Sequence, residues 1–291
     1  KLSVEADPDS YEHANAFCDI LIVGSGPSGL AAALSAGRAG LDVLLVEQDF
    51  ELGGDYLNDK KHSEKLKILI SKIKEMGIRV MPRTTAFGLY DHGVAGLLER
   101  VTDHLGVSNS NLPRQRFWTI RSKHTILATG ALERNIVFSN NDTPGVMTAN
   151  SARIYLNRYG VLPGKKIVIA TNNDSAYETA LALAAAGAHI HLLDSRAKLS
   201  KTFLSVAIEA GIRITLTASI SKVYSGKYVS NLDVAKWNGS SWVKSTTEHC
   251  DLVLVSGGWS PVINLLSHRG VKSVWNMPNC CFLPGKTSEP I

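Results

Sequence analysis

The 291-residue sequence has few cysteines and lacks long apolar runs, and these shortages exclude several classes of protein. It contains no run of the ~18 apolar residues that a membrane helix needs, so we expect no membrane contact. None of the four cysteines forms a C-x-x-C pair, which argues against a zinc knuckle or a redox-active dithiol. Residues 1–16 are polar and acidic and do not resemble a signal peptide. A reducing cytoplasm is therefore the expected compartment, with Cys18 and Cys250 as core thiols before apolar strands.

The charge excess is small, at +5 with a pI near 9.0. The densest basic stretch, residues 60–74, also reads as an amphipathic helix with leucines and isoleucines on one face. A solvated helix face is therefore favoured over a polyanion site, and no nucleic-acid partner is expected. His189 and His191 have strand spacing, but a third metal ligand is not evident, so no metal is predicted.

The same strand-turn-helix-strand plan occurs twice in the chain. Residues 19–47 and 166–194 each read as a βαβ opening, and each half closes with an apolar strand running into glycine, TILATG at 125–130 and DLVLVSGG at 251–258. The predicted class is α/β, with two Rossmann-like dinucleotide-binding domains in three ββα layers. We expect residues 1–139 with 250–291 to form the first domain. Residues 140–249 would form the second, glycine-depleted domain.

The turn GSGPSG at residues 24–29 carries the strongest chemical signal. A strand precedes it, a helix follows it, and Glu47 ends the next strand, which is the context of a dinucleotide fingerprint. The first glycine permits the tight bend, the second admits a pyrophosphate and the third lets helix and strand pack closely. A carboxylate at Glu47 can accept from both ribose hydroxyls and disfavours a 2′-phosphate, so NADP is not expected. The alternative is a structural turn beside a surface glutamate. The predicted contacts here are Gly24, Gly26, Pro27, Ser28, Gly29, Glu47 and Gln48.

Three further segments resemble parts of two-domain flavoproteins. The pair Gly53-Gly54, with Asp55 after it, matches the place where the chain passes the pyrophosphate, although an ordinary loop is an equal alternative. Thr129-Gly130 ends the buried strand of the first half in the A-T-G form of the second flavoprotein fingerprint. Thr85-Ala86 would lie near the adenine in that fold.

The second turn departs from the fingerprint. Aligned on the first turn, its glycine positions hold Thr171, Asn173 and Ala176, and Asp174 adds a negative charge. These side chains crowd the space of a pyrophosphate, so this half is not expected to bind a mobile nicotinamide in the usual way. A changed ligand held by residues 172–174 stays open as the alternative.

Residues 128–177 carry the most specific family likeness. Together with PRTTAFGLYDH at 82–92, LLERVTDHL at 97–105 and VSGGWSPV at 255–262, this stretch, which includes TNNDSAY at 171–177, resembles the alpha subunit of heterotetrameric sarcosine oxidases. The family's alpha subunit is far longer, so we expect this chain to be part of a larger subunit.

The resemblance implies a cytoplasmic complex with beta, gamma and delta subunits that oxidises sarcosine to glycine and releases hydrogen peroxide. It implies NAD in the first domain of this chain, FMN at the interface with a partner subunit and FAD in that partner, with sarcosine and tetrahydrofolate handled elsewhere in the complex. No catalytic residue is assigned to this chain, which we expect to be inactive alone. The alternatives are an FAD-binding subunit of an opine or amino-acid oxidase or of a cyanide-forming glycine dehydrogenase, and a non-enzymatic nucleotide-binding scaffold.

Overall fold

A computed structural model describes residues 9–105, 111–199 and 201–286. Residues 1–8 and 287–291, which the sequence analysis placed in the first domain, lie outside the described residues. Within the described part of the chain, no helix has the length and apolar character needed to cross a membrane.

Strands and α-helices alternate at residues 11–81 and 146–216, and strands without an intervening α-helix make up most of the rest. The strands are β1 (Tyr11–Val23), β2 (Val43–Val46), β3 (Arg79–Met81), β4 (Thr84–Tyr90), β5 (Val94–Arg100), β6 (Gln115–Leu127), β7 (Ala131–Glu133), β8 (Val146–Thr148), β9 (Lys166–Thr171), β10 (His189–Asp194), β11 (Arg213–Leu216), β12 (Ala218–Ser225), β13 (Val229–Trp237), β14 (Trp242–His249), β15 (Leu252–Ser256), β16 (Trp259–Pro261), β17 (Ser273–Asn276) and β18 (Cys281–Pro284). The helices are α1 (Pro27–Arg38), α2 (Ser63–Glu75), α3 (Ala149–Tyr159), α4 (Ser175–Ala185), α5 (Lys201–Glu209) and α6 (Asn264–Ser267). The predicted α/β class is confirmed.

The chain divides into two units, which we call unit 1 (residues 1–131 and 261–291) and unit 2 (residues 132–260). These borders differ from the predicted 139/140 and 249/250. The reason is strand pairing: Val253–Val255 of β15 pair with β8 and β9, so the closing strand DLVLVS lies in the sheet of unit 2. Apolar pattern alone did not show which sheet would take this strand.

Unit 1 is built on a six-stranded sheet in the order β3-β2-β1-β6-β5-β4. The first four strands are parallel, β5 pairs antiparallel with β6, and β4 pairs antiparallel with β5. Side chains alternate between the two faces. Ile20 and Ile22 pack with Leu30 of α1 and Ile73 of α2 on one face, whereas Leu21 lies in the core cluster on the other.

Helix α2 confirms the amphipathic prediction for residues 60–74. Leu66 and Ile73 are buried against the unit 1 core, and Leu69 and Ile70 pack partly against it. The exposed side of the helix carries the lysines, of which Lys67 pairs with Glu64 at 2.8 Å. The basic run is thus one face of a packed helix.

Unit 2 has three layers. Its five-stranded parallel sheet, in the order β11-β10-β9-β15-β8, packs one face against α3, α4 and α5 through Ile167, Ile169 and their neighbours. The other face, with Val168 and Ala170, packs against the antiparallel sheet β12-β13-β14. This is the ββα layering expected from the sequence. Trp237 and Trp242 pair across the β13–β14 turn with ring centroids 5.6 Å apart.

Burial of the cysteines predicts a simple labelling pattern. Cys18 and Cys250 are 0% and 1% exposed, and burial raises the pKa of their thiols to about 11 and about 12. Cys281 is also buried, whereas Cys280 is exposed. Because the thiolate is the reacting species, we expect a thiol-specific disulfide reagent at pH 8 to modify one cysteine rapidly in the native chain and four after denaturation. Cys280→Ser removes the fast phase, and a fast phase that survives it would contradict this assignment.

Candidate functional site

The glycine turn between β1 and α1 lies at the carboxyl edge of the unit 1 sheet. Gly24 has φ +99° and donates its N–H to the carbonyl of Val46 at 2.9 Å. A Cβ on Gly24 would overlap the carbonyl oxygen of Ala128, and a Cβ on Gly29 would overlap that of Gly24. The first and third glycines are therefore required by contacts within the protein.

Gly26 differs from Gly24 and Gly29, because the position that a Cβ would take at Gly26 faces open space. It precedes the first residue of α1 and has φ −61°, a conformation that any residue adopts. Among the described residues, no atom lies within 4 Å of a Cβ placed on Gly26. The first-turn amides of a helix have no intrahelical acceptor and carry the positive end of its dipole. The N-terminus of α1 thus offers the N–H groups of Ser28 and Gly29 to an anionic group placed against Gly26, while Pro27 has no N–H to donate.

Glu47, one residue beyond β2, is joined directly to the turn. Its Oε2 accepts from the N–H of Ser25 at 2.8 Å and from the hydroxyl of Ser25 at 2.6 Å, and its Oε1 accepts from the N–H of Asp49 at 2.9 Å. Glu47 is 8% exposed and Ser25 is 0% exposed. A carboxylate has about four acceptor positions, so these three bonds leave about one for a ligand. The expectation that Glu47 accepts from both ribose hydroxyls therefore requires one protein donor to move aside.

The glycine pair 53–54 lies against the turn. Gly53 donates its N–H to the carbonyl of Ser25 at 3.1 Å, and a Cβ on Gly54 would come within 2.8 Å of the Cα of Gly26. Asp55 follows in a short 3-10 helix, where its Oδ1 accepts from Asn58 at 3.3 Å. The absence of side chains at this pair lets a second backbone segment border the space above Gly26.

Three predicted contacts, Gln48, Thr85 and Ala86, follow Glu47 in the chain or lie on β4. The carbonyl of Gln48 accepts from the guanidinium of Arg100 at 2.6 Å. Of the neighbouring residues on β4, Thr84 bonds Glu47, because its N–H donates to the carbonyl of Glu47 at 2.8 Å. Thr85 is exposed on β4, and Ala86 packs against the core.

Thr129 and Gly130 lie just after β6, beside the turn. The hydroxyl of Thr129 donates to the carbonyl of Val262 at 2.6 Å, and the N–H of Val262 donates to the carbonyl of Gly130 at 3.0 Å. Sequence reasoning did not identify Ser25, Arg100 or Val262. Ser25 is the x of G-x-G, where the fingerprint specifies no residue type, and the other two reach the site only through the fold.

The two histidines on β10 differ in burial and in their partners. His191 Nδ1 lies 2.8 Å from Glu248 and Nε2 lies 2.8 Å from the hydroxyl of Thr215, so protein groups occupy both nitrogens. Burial lowers the pKa of His191, while His189 is exposed. Within the described part of the chain, no three or more histidine, cysteine or acidic side chains are grouped to hold a metal ion.

Comparison with known proteins places this geometry in a family. The chain is 41% identical to the sarcosine oxidase alpha subunit of Rhizobium meliloti (strain 1021), over 98% of this chain and 29% of that protein. It is 37% identical to that of Corynebacterium sp. (strain P-1), over 97% of the chain and 30% of the relative. The chain thus spans about three tenths of the length of these relatives. The resemblance seen in the sequence is confirmed as a similarity along nearly the whole chain.

One more distant sequence relative and two solved structures are also similar to the chain. One subunit of the opine oxidase of Rhizobium meliloti is 27% identical over 94% of the chain and 56% of that protein. The L-proline dehydrogenase of P. horikoshii superposes with a TM-score of 0.69 at 22% identity, covering 95% of this chain and 49% of that one. The thioredoxin reductase of Lactococcus lactis gives 0.67 at 18% identity, covering 88% and 82%. The profile of the pyridine nucleotide-disulphide oxidoreductases matches residues 18–276, and the chain belongs to that family.

Proposed function

We propose that this chain is the dinucleotide-binding part of a sarcosine oxidase alpha subunit and that unit 1 holds one NAD. The observation that carries the proposal is the open face of Gly26 beside the N-terminus of α1, with Glu47 one hydrogen bond away from the same turn. The pyrophosphate would lie against Gly26, Ser28 and Gly29, and the adenosine ribose would lie against Glu47. The sarcosine oxidase relatives support the choice of complex.

The chain contributes binding and electrostatics in this proposal. The α1 N-terminus stabilises the phosphate charge, and Glu47 orients the ribose and disfavours a 2′-phosphate. Gly54, Thr129 and Gly130 border the dinucleotide with little side-chain bulk. For the whole complex we propose an oxidase that oxidises sarcosine and releases hydrogen peroxide. It would contain beta, gamma and delta subunits, with FMN at the interface between this chain and one of these partners and FAD in that partner. A cytoplasmic location is proposed with it.

The occupant of unit 1 can be identified directly. We expect denaturation of the full native subunit, separated from its partners, to release NAD in a ratio of about one per chain by mass spectrometry. Release of FAD would defeat the NAD assignment and favour the alternative of an opine or amino-acid oxidase subunit, which the likeness to the opine oxidase of Rhizobium meliloti supports. A parallel measurement on the Gly26→Ala subunit serves as the control for nucleotide carried over from the partners.

A further inference from the structure

The turn after β9 occupies in unit 2 the place that the glycine turn occupies in unit 1. Strand register establishes the correspondence, since Val23 pairs with Val46 and Leu127 just as Ala170 pairs with Leu193 and Val255. The next residues are therefore equivalent: Thr171 stands for Gly24, Asn173 for Gly26 and Asp194 for Glu47.

The side chain of Asn173 forms hydrogen bonds with both the end of β15 and the first residue of α4. Its Oδ1 accepts from the N–H of Ser175 at 3.1 Å and from the Ser175 hydroxyl at 2.6 Å. Its Nδ2 donates to the carbonyl and the hydroxyl of Ser256 at 3.0 Å each. A bound phosphate would accept from the same first-turn amide of the helix. The carboxamide thus makes, from within the chain, a contact that a ligand would make.

Asp194, the carboxylate of unit 2 that corresponds to Glu47, has all of its acceptor positions bonded within the protein. Asp194 is 0% exposed. Its Oδ1 accepts from the Arg196 N–H at 2.9 Å and Nε at 3.0 Å, and its Oδ2 accepts from the Arg196 guanidinium at 2.8 Å and the Tyr177 hydroxyl at 2.9 Å. Four donors fill the four acceptor positions of a carboxylate. Arg196 also binds Asp174 of the turn at 2.7 Å.

We propose that unit 2 is a dinucleotide-binding fold closed by its own side chains. Asn173 takes the place of the pyrophosphate, and Arg196 with Tyr177 takes the place of the ribose hydroxyls. The hydrogen-bonding groups of unit 2 that would hold a nucleotide are then satisfied within the protein. Unit 1 therefore contains the single nucleotide site of these two folds. This inference concerns a different turn from the proposed NAD site and does not depend on which nucleotide unit 1 holds.

Photoaffinity labelling of the nucleotide-depleted full subunit with 2-azido-ADP-ribose shows which of the two turns binds a nucleotide. We expect labelled peptides from unit 1 and loss of that labelling in the Glu47→Ala variant. Labelled peptides from residues 171–196 that persist in Glu47→Ala would overturn the closed unit. If neither turn is labelled, the proposed NAD site fails while the closed unit 2 stands, so the two failures are distinguishable.

Two neighbouring asparagines test the closure. Asn173→Ala removes the carboxamide bonds to Ser175 and Ser256, and we expect it to lower the melting temperature by roughly 4 °C or more. Asn172→Ala is the matched control, because Asn172 is exposed and its side chain accepts from Asn173 Nδ2 at 3.1 Å and reaches the carbonyl of Gly257 at 3.5 Å. The Asn172→Ala change therefore leaves the Asn173 bonds to Ser175 and Ser256 in place. Equal melting temperatures for the two variants would show that Asn173 does not hold the turn and would overturn the proposal.

Discussion

Gly26→Ala is expected to weaken nucleotide binding roughly 100-fold, about 2.7 kcal/mol, while leaving the stability of unit 1 nearly unchanged. The added methyl group meets open space among the described residues, and φ of −61° suits alanine, so the free chain tolerates it. The same methyl group occupies the volume into which a pyrophosphate must come to reach the α1 amides. Calorimetric titration of the nucleotide-depleted full subunit with NAD, together with its melting temperature, measures both effects.

Gly29→Ala is the matched contrast for this prediction. Its Cβ would overlap the carbonyl oxygen of Gly24, which is backbone and cannot rotate away. We therefore expect a loss of about 3 kcal/mol in the free energy of unfolding of unit 1, and binding falls because the turn itself is displaced. If Gly26→Ala lost as much stability as Gly29→Ala, or bound NAD as the parent does, the assignment of the open face at Gly26 would be wrong.

Glu47→Ala is expected to reduce nucleotide affinity by roughly ten- to a hundred-fold, through loss of a charge-assisted ribose contact worth about 1.5–3 kcal/mol. Its effect extends to the fold, because the N–H and hydroxyl of fully buried Ser25 lose their acceptor. Leaving such donors unsatisfied costs about 1–3 kcal/mol in the free energy of unfolding. NAD titration and chemical denaturation of the same preparation report the two losses separately.

Ser25→Ala isolates the structural part of the Glu47 effect. This variant removes one of the two Ser25 bonds to Oε2 and keeps the carboxylate beside the turn. We expect a smaller loss of stability than in Glu47→Ala and an affinity for NAD that is retained or raised, since the freed lone pair can accept from a ribose hydroxyl. Equal losses of affinity in Ser25→Ala and Glu47→Ala would mean that the carboxylate only supports the turn and does not meet the ligand.

Much of unit 1 was predictable from short stretches of sequence. The βαβ opening expected at residues 19–47 contains helix α1 at Pro27–Arg38 and strand β2 at Val43–Val46. The long strands were the main difference, since β1 begins at Tyr11 and β6 at Gln115. Residues 11–17 and 115–119 are exposed or partly exposed, and they are strands because they pair with each other and, in β6, with β5.

Neighbouring residues were therefore sufficient for the two βαβ openings, the glycine turn and the acid at the end of β2, because apolar period and glycine spacing are local properties of a chain. The border between the units, the two bonds from Ser25 to Glu47 and the closure of the second turn arose only in the folded chain. Each depends on residues far apart in sequence: Ser25 meets Glu47 across 22 positions, and Asn173 meets Ser256 across 83. A hydrogen bond of a few ångströms between such residues exists only once the sheet has set their strands side by side.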